Sequence, residues 1–147
     1  MMSRKTKVRL LYVVIIRSIL TYGYEVSTTT KHTERKLRKF ENRVWRKICG
    51  PIPLMKTRGT GVGDIGNKEL YDLLELAPVT SFIKGQRLQR LGHIMRRGEN
   101  ETVRVALEWK PKGKRPKGRP RKRWIDVVEE DLKILGVEDW RGIVQDR

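Results

Sequence analysis

Apolar side chains recur along this chain with a helical period, in stretches set apart by polar breaks. From residue 4 to 21, Val8, Leu10 to Ile16, Ile19 and Leu20 leave so little polar surface that a helix buried over most of its circumference is predicted. The β-branched run Val13, Val14, Ile15 and Ile16 would suit a central strand, but the total length favours helix. Gly23 and the run Ser27 to Thr30 mark a break. Leu37, Phe40, Val44, Trp45 and Ile48 then fall at i, i+3, i+7, i+8 and i+11, one face of a 3.6-residue period. Thr33 is the expected cap of that helix and Gly50-Pro51 its stop.

Downstream, Asn67 is expected to cap a short helix carrying Leu70, Leu73, Leu74 and Leu76, ended by Pro78. Ser81 is expected to open another, with Ile83, Leu88, Leu91, Ile94 and Met95 as its apolar stripe. Residues 101–109 score alike for helix and strand. A last helix carries Trp124, Val127, Val128, Leu132 and Leu135 and stops at Gly136, before a short turn at Trp140, Ile143 and Val144. The expected fold is mostly α: a loose helical bundle of about six helices with an extended basic Pro/Gly-rich segment. Its parts are a helical pair over 1–53, a Gly-rich linker over 54–66, a second pair over 67–98, the basic segment over 99–123, and acidic helices over 124–147.

Charge changes this picture most. The 147 residues hold 34 Lys and Arg against 17 Asp and Glu, a formal net charge of +17, and apolar residues make up 37%. That is lean for a globular domain, where about 45–50% is usual. Such a balance points to polyanionic partners, nucleic acid before anionic membrane. Residues 1–50 carry 13 basic and 3 acidic side chains, whereas 124–147 carry 3 and 7. In the helix at 34–48 the cations Arg35, Arg38, Lys39, Arg43 and Arg46 occupy the surface that the apolar stripe leaves free. Arg87, Arg90 and Arg96 border the stripe of the helix after Ser81 and His93 lies inside it; all four are expected nucleic-acid contacts.

Other chemistries find little support. The single Cys49 allows no internal disulfide and no Cys-based zinc site, and His32 and His93 are too few and too far apart for a metal cluster. Leu10 to Ile16 is too short to span a bilayer, which takes about 20 residues, so no membrane partner is expected. Arg17 interrupts any signal-peptide reading. Gly61-Val62-Gly63 with Gly66 meets the bare Gly-x-Gly-x-x-Gly spacing without a strand before it, so a linker is the better reading. Asp126 and Glu130, at i and i+4, could hold a magnesium ion; a solvated helix face is the simpler reading. No nucleophile, base and orienting partner can be named, so the chain is expected to be no enzyme by itself and to need no cofactor.

The stretch from Lys110 to Arg123 is different. It has 9 Lys or Arg, 3 Pro, 2 Gly and no acid. Prolines 111, 116 and 120 oppose helix and display the charges along an extended line. Nine phosphate contacts would give a salt slope of about −8 on duplex DNA and about −6 on a single strand. Within it, Lys114, Arg115, Lys117, Gly118, Arg119, Pro120, Arg121 and Lys122 include a Gly-Arg-Pro element that looks like an AT-hook. A narrow A·T minor groove accepts Arg, and glycine permits close backbone approach. A solvated linker that also serves as a nuclear localisation signal is the plainer alternative.

Several segments in order resemble a known family. They are Arg9-Leu10-Leu11-Tyr12 through Leu20-Thr21-Tyr22-Gly23-Tyr24-Glu25; Glu34 to Ile48 with Gly50-Pro51; Asn67-Lys68-Glu69-Leu70-Tyr71; Arg87 to Arg96; Leu107-Glu108-Trp109; and Gly118-Arg119-Pro120-Arg121-Lys122-Arg123-Trp124-Ile125-Asp126. Together they resemble the C-terminal region of reverse transcriptases from non-LTR, LINE-type retrotransposons, from about residue 6 to the end. Ser27 stands where that family commonly has Trp. The resemblance implies a thumb-like helical part and basic tail that follow the palm, without the palm's metal site or the upstream endonuclease, so no catalytic residue carries over. It implies Arg90, His93, Arg96, Arg119, Arg121, Arg123 and Trp124 as nucleic-acid-facing or tail-packing positions. The expected partners are RNA or an RNA–DNA hybrid first and A·T-rich duplex DNA second, with self-association through an exposed apolar helix 4–21. The expected location is the nucleus, or the cytoplasm as a ribonucleoprotein.

Overall fold

The computed structural model describes residues 2–50, 66–110, 113, 118, 122–137 and 139–145. Among the described residues the chain is mostly α, with seven helical segments and no strand. Helix α1 is one rod of three consecutive stretches: Arg4–Val8, a wider-turned π section Arg9–Ile16, and Arg17–Thr21. Then follow α2 (Lys31–Cys49), α3 (Asn67–Leu74), α4 (Val79–Met95), α5 (Thr102–Glu108), α6 (Trp124–Ile134) and α7 (Trp140–Gln145). The ambiguous segment at 101–109 is therefore helical. Of the expected Gly-rich linker over 54–66, all but Gly66 lies outside the described residues.

The chain forms two compact units, one made of Met1–Tyr22 with Thr30–Phe82, the other of Gly23–Thr29 with Ile83–Arg147. The first has a core of Val8, Tyr12, Trp45, Cys49, Leu70 and Leu74. Trp45 is its centre, edge-on to Tyr12 at 5.4 Å and to Tyr71 at 4.8 Å between ring centroids. Such aromatic pairs add about 0.5–1.5 kcal/mol each beyond their burial. The π section sets which side of α1 joins this core. Buried residues fall at Val8, Tyr12, Arg17 and Thr21, with the five-residue step where the wide turn lies. The β-branched run at 13–16 is poorly suited to tight helical turns, a physical reason for the loosening there.

The expectation that α1 is buried over most of its surface is corrected. Leu10, Leu11, Val14, Ile15 and Ile19 are all exposed, Ile19 to 73%. Val8 and Tyr12 enter the core, Val13 and Ile16 pack partly against it, and these five apolar side chains face outward.

Helix starts also shift. Thr30, not Thr33, caps α2, its Oγ1 accepting from the Thr33 amide at 3.2 Å. At α3 the cap position is Gly66, whose amide donates to Glu69 Oε2 at 3.1 Å, with Asn67 as the first helical residue. Helix α4 opens at Val79, two residues before Ser81. Glu41 explains this: its carboxylate is fully buried and accepts from the Val79 amide at 3.1 and 3.0 Å, so a side chain of α2 caps α4.

The second unit packs Leu91 and Met95 of α4 against Val128 and Leu132 of α6 and Trp140 of α7. Arg104 of α5 donates to the carbonyls of Met95 at 3.3 Å and Arg97 at 3.2 Å, satisfying groups at the end of α4. Gly136, at φ +75°, closes α6: its amide reaches the Lys133 carbonyl and that of Val137 the Leu132 carbonyl, both at 3.1 Å. Among the described residues no helix is long and apolar enough to cross a membrane.

Candidate nucleic-acid interface

The outward half of α2 is built by subtraction. Leu37, Glu41, Trp45 and Cys49 turn into the first unit, leaving Arg35, Lys36, Lys39, Arg43 and Lys47 exposed. Among the described residues none of these five enters an ion pair. Lys39, Asn42, Arg43, Arg46, Lys47 and Asn67 line an open depression of about 560 Å³. Arg46 donates to Asn67 Oδ1 at 3.0 Å, tying the start of α3 to this face. Arg38 is exposed, yet its Nε donates to Thr80 Oγ1 at 3.2 Å, so part of its bonding capacity is spent holding α4.

Behind that face lies a buried polar cluster. Glu41 accepts from the Tyr12 hydroxyl at 2.6 Å and the Tyr71 hydroxyl at 3.2 Å, in addition to the Val79 amide. The Arg17 guanidinium, itself buried, lies 4.0 Å from it, donates to the Ala77 carbonyl, and sits 4.7 Å over the Phe82 ring. Burial pushes the Tyr71 hydroxyl up to about 12, the Glu41 carboxylate adding to the shift. Tyr12 moves the same way for the same reasons. Glu41 thus supports α2 from within while the cations face out.

The sequence-derived residues of the second unit divide in two. Arg90, His93 and Arg96 are exposed and come together with Gln86, Gln89 and Glu25 around a cleft of about 340 Å³. Arg87 does not join them. It is 1% exposed, bonded to Asp131 Oδ2 at 3.1 Å and to the Thr29 hydroxyl, with Lys84 on the other Asp131 oxygen at 2.8 Å. Its expected nucleic-acid-facing role is corrected to that of a buried ion pair, with Asp131 buried beside it. Arg123 is drawn in as well, donating to the carbonyls of Leu107 at 2.8 Å and Trp109 at 2.9 Å. Trp124 is half-buried against the core and donates from Nε1 to the Glu25 carbonyl at 2.8 Å, so both residues serve packing.

Lys122 pairs with Glu130, and Asp126 accepts from the Arg123 amide at 3.1 Å. Asp126 and Glu130, for which a solvated helix face is the simpler reading of the sequence, thus each have a partner within the chain. Lys114, Arg115, Lys117, Arg119, Pro120 and Arg121 lie outside the described residues; Gly118 is exposed at φ +121°, a backbone region that favours glycine. Among the described residues no three His, Cys, Asp or Glu side chains gather.

Sequence reasoning missed Glu41, Arg17 and the two glutamines. For Glu41 a signal existed: it lies four residues from both Leu37 and Trp45, inside the apolar stripe, where a charge demands a partner. For Arg17 the partner, a backbone carbonyl 60 residues away, had no local trace.

Among curated proteins the chain is similar to an uncharacterized transposon-derived protein of Caenorhabditis elegans, 26% identical over 139 residues, covering 90% of this chain and 48% of that protein. The chain spans about half the length of this relative. The likeness supports a transposon origin. No family model and no solved structure matches the chain.

Proposed function

We propose that the chain is a non-catalytic, nucleic-acid-binding part of a retrotransposon reverse transcriptase, the thumb-like region and tail that follow the palm. In this reading it holds RNA or an RNA–DNA hybrid by the phosphates. The observation that carries it is the cationic sector of α2: Arg35, Lys36, Lys39, Arg43 and Lys47 are exposed along one side of a 19-residue helix, with Glu41, the acid at its centre, turned inward. A helix of that length runs about 28 Å, enough to follow several successive phosphates. The transposon-derived relative supports the ancestry, and the order of segments from Arg9 to Asp126 supports the finer assignment.

Competition between a structured RNA, an RNA–DNA hybrid, and A·T-rich and G·C-rich DNA duplexes tests this reading. The RNA or hybrid is expected to displace both duplexes at 150 mM salt. Displacement of every other probe by the A·T-rich duplex would replace it with a minor-groove role for the segment around Gly118.

A further inference from the structure

The two polar surfaces differ in chemistry. The outward sector of α2 is almost wholly Lys and Arg, sufficient for phosphate but poor at telling one base from another. The stripe on α4 has two amides, an imidazole and two guanidiniums: Gln86, Gln89, Arg90, His93 and Arg96. A neutral glutamine adds nothing to counter-charge. Its amide does match the N6 and N7 edge of adenine, as an Arg fork matches O6 and N7 of guanine.

The placement fits that use. The five residues stand at i, i+3, i+4, i+7 and i+10, on one side of the helix and over about 15 Å of its axis. That is about four base-pair steps at 3.4 Å each. Arg97 donates to His93 Nε2 at 3.2 Å; a guanidinium has no acceptor, so Nε2 accepts and Nδ1 keeps the proton as a donor. Arg96 lies across Gly92, with Nη1 3.0 Å from where a Cβ would stand, so the missing side chain makes room for the guanidinium. Glu25 sits at the edge of the same cleft, where a carboxylate repels phosphates and can accept from a cytosine amino group.

We propose that this stripe of α4 reads base edges in the major groove of a B-form DNA duplex. The chain would then carry a sequence-selective DNA site made of other residues than the phosphate-binding face of α2. A B-form major groove, about 12 Å wide, admits a helix; the deep, narrow one of A-form RNA does not. The site therefore goes beyond the RNA reading and does not depend on it.

Selection of preferred sequences from randomised duplexes by the full-length chain tests the proposal. A motif of about four or five base pairs containing G and A is expected. Gln89→Ala and Arg90→Lys should each erase the preference at one position, by roughly tenfold or more, while binding to unselected duplex changes less than about twofold. Arg90→Lys keeps the charge and loses only the fork, and an unchanged circular dichroism spectrum verifies that each variant folds. Lys39→Glu with Arg43→Glu should weaken all duplexes alike and leave the motif intact. No motif, a motif indifferent to both α4 variants, or an A·T preference that follows Arg119 would overturn the proposal. Failure of RNA binding alone would leave it standing.

Discussion

Glu41 illustrates how one residue governs a surface it does not reach. It is sealed beneath α2, bonded to two phenols and a helix amide, and close to a buried guanidinium. Breaking such a buried cluster by removing one member costs about 3–5 kcal/mol, since the others keep their desolvation penalty. The phenols also make stability depend on pH. Their ionisation is shifted upward in the folded chain, so the folded state holds protons that the unfolded state releases. The contribution is complete below about pH 10, the usual value for an unfolded tyrosine, and is lost as pH rises through the folded values. Urea unfolding between pH 9.5 and 11.5 should show stability falling by up to about 1.4 kcal/mol per pH unit for each phenol, and Tyr12→Phe should reduce that slope. A slope identical in wild type and Tyr12→Phe would mean that Tyr12 does not ionise in this window on unfolding.

Helices were legible in the sequence to the extent that their apolar periods were regular. Of the stripe Leu37 to Ile48, Leu37, Val44, Trp45 and Ile48 turn inward on α2 whereas Phe40 is exposed, and Gly136 ends α6 as turn chemistry requires. Cap positions were less legible, because the Thr30 hydroxyl competes with that of Thr33 three residues on, and because the cap of α4 comes from Glu41, 38 residues earlier. In α1 the amount of apolar surface was plain, but which part is covered depends on the π section, and an uninterrupted apolar run has no period to show it. The exposed line Leu10, Leu11, Val14, Ile15 and Ile19 is the element-scale consequence. We expect two copies of the chain to cover it mutually, since an apolar face of this kind is rarely left to water. Sedimentation at tens of micromolar should show a dimer, and Val14→Glu with Ile19→Glu should return a monomer with undiminished helix content. A monomeric wild-type chain would refute that expectation.

For the whole molecule, an excess of positive charge is distributed between faces of different composition. The α2 sector was visible in advance as a run of cations on one side of an apolar stripe. The candidate site on α4 was only half visible: Arg90, His93 and Arg96 stood out by charge, whereas Gln86 and Gln89 carry none. Arg87, Arg123 and Trp124 looked like surface groups because their partners, Asp131, the Leu107 carbonyl and the Glu25 carbonyl, lie far off in sequence or on the backbone. Basic residues alone therefore overstate the candidate surface, and among the described residues the structure narrows it on α2 to cations that enter no ion pair.

That reduction can be measured as the salt dependence of binding to structured RNA, comparing wild type with Lys39→Glu, Arg43→Glu and Lys47→Glu combined. Each lost phosphate contact removes about 0.7 from the slope of log K against log salt on a single strand. The phosphate-tracking role of α2 predicts a slope shallower by about 2 and weaker binding throughout. An unchanged slope and affinity would contradict it and assign RNA binding to other cations of the chain.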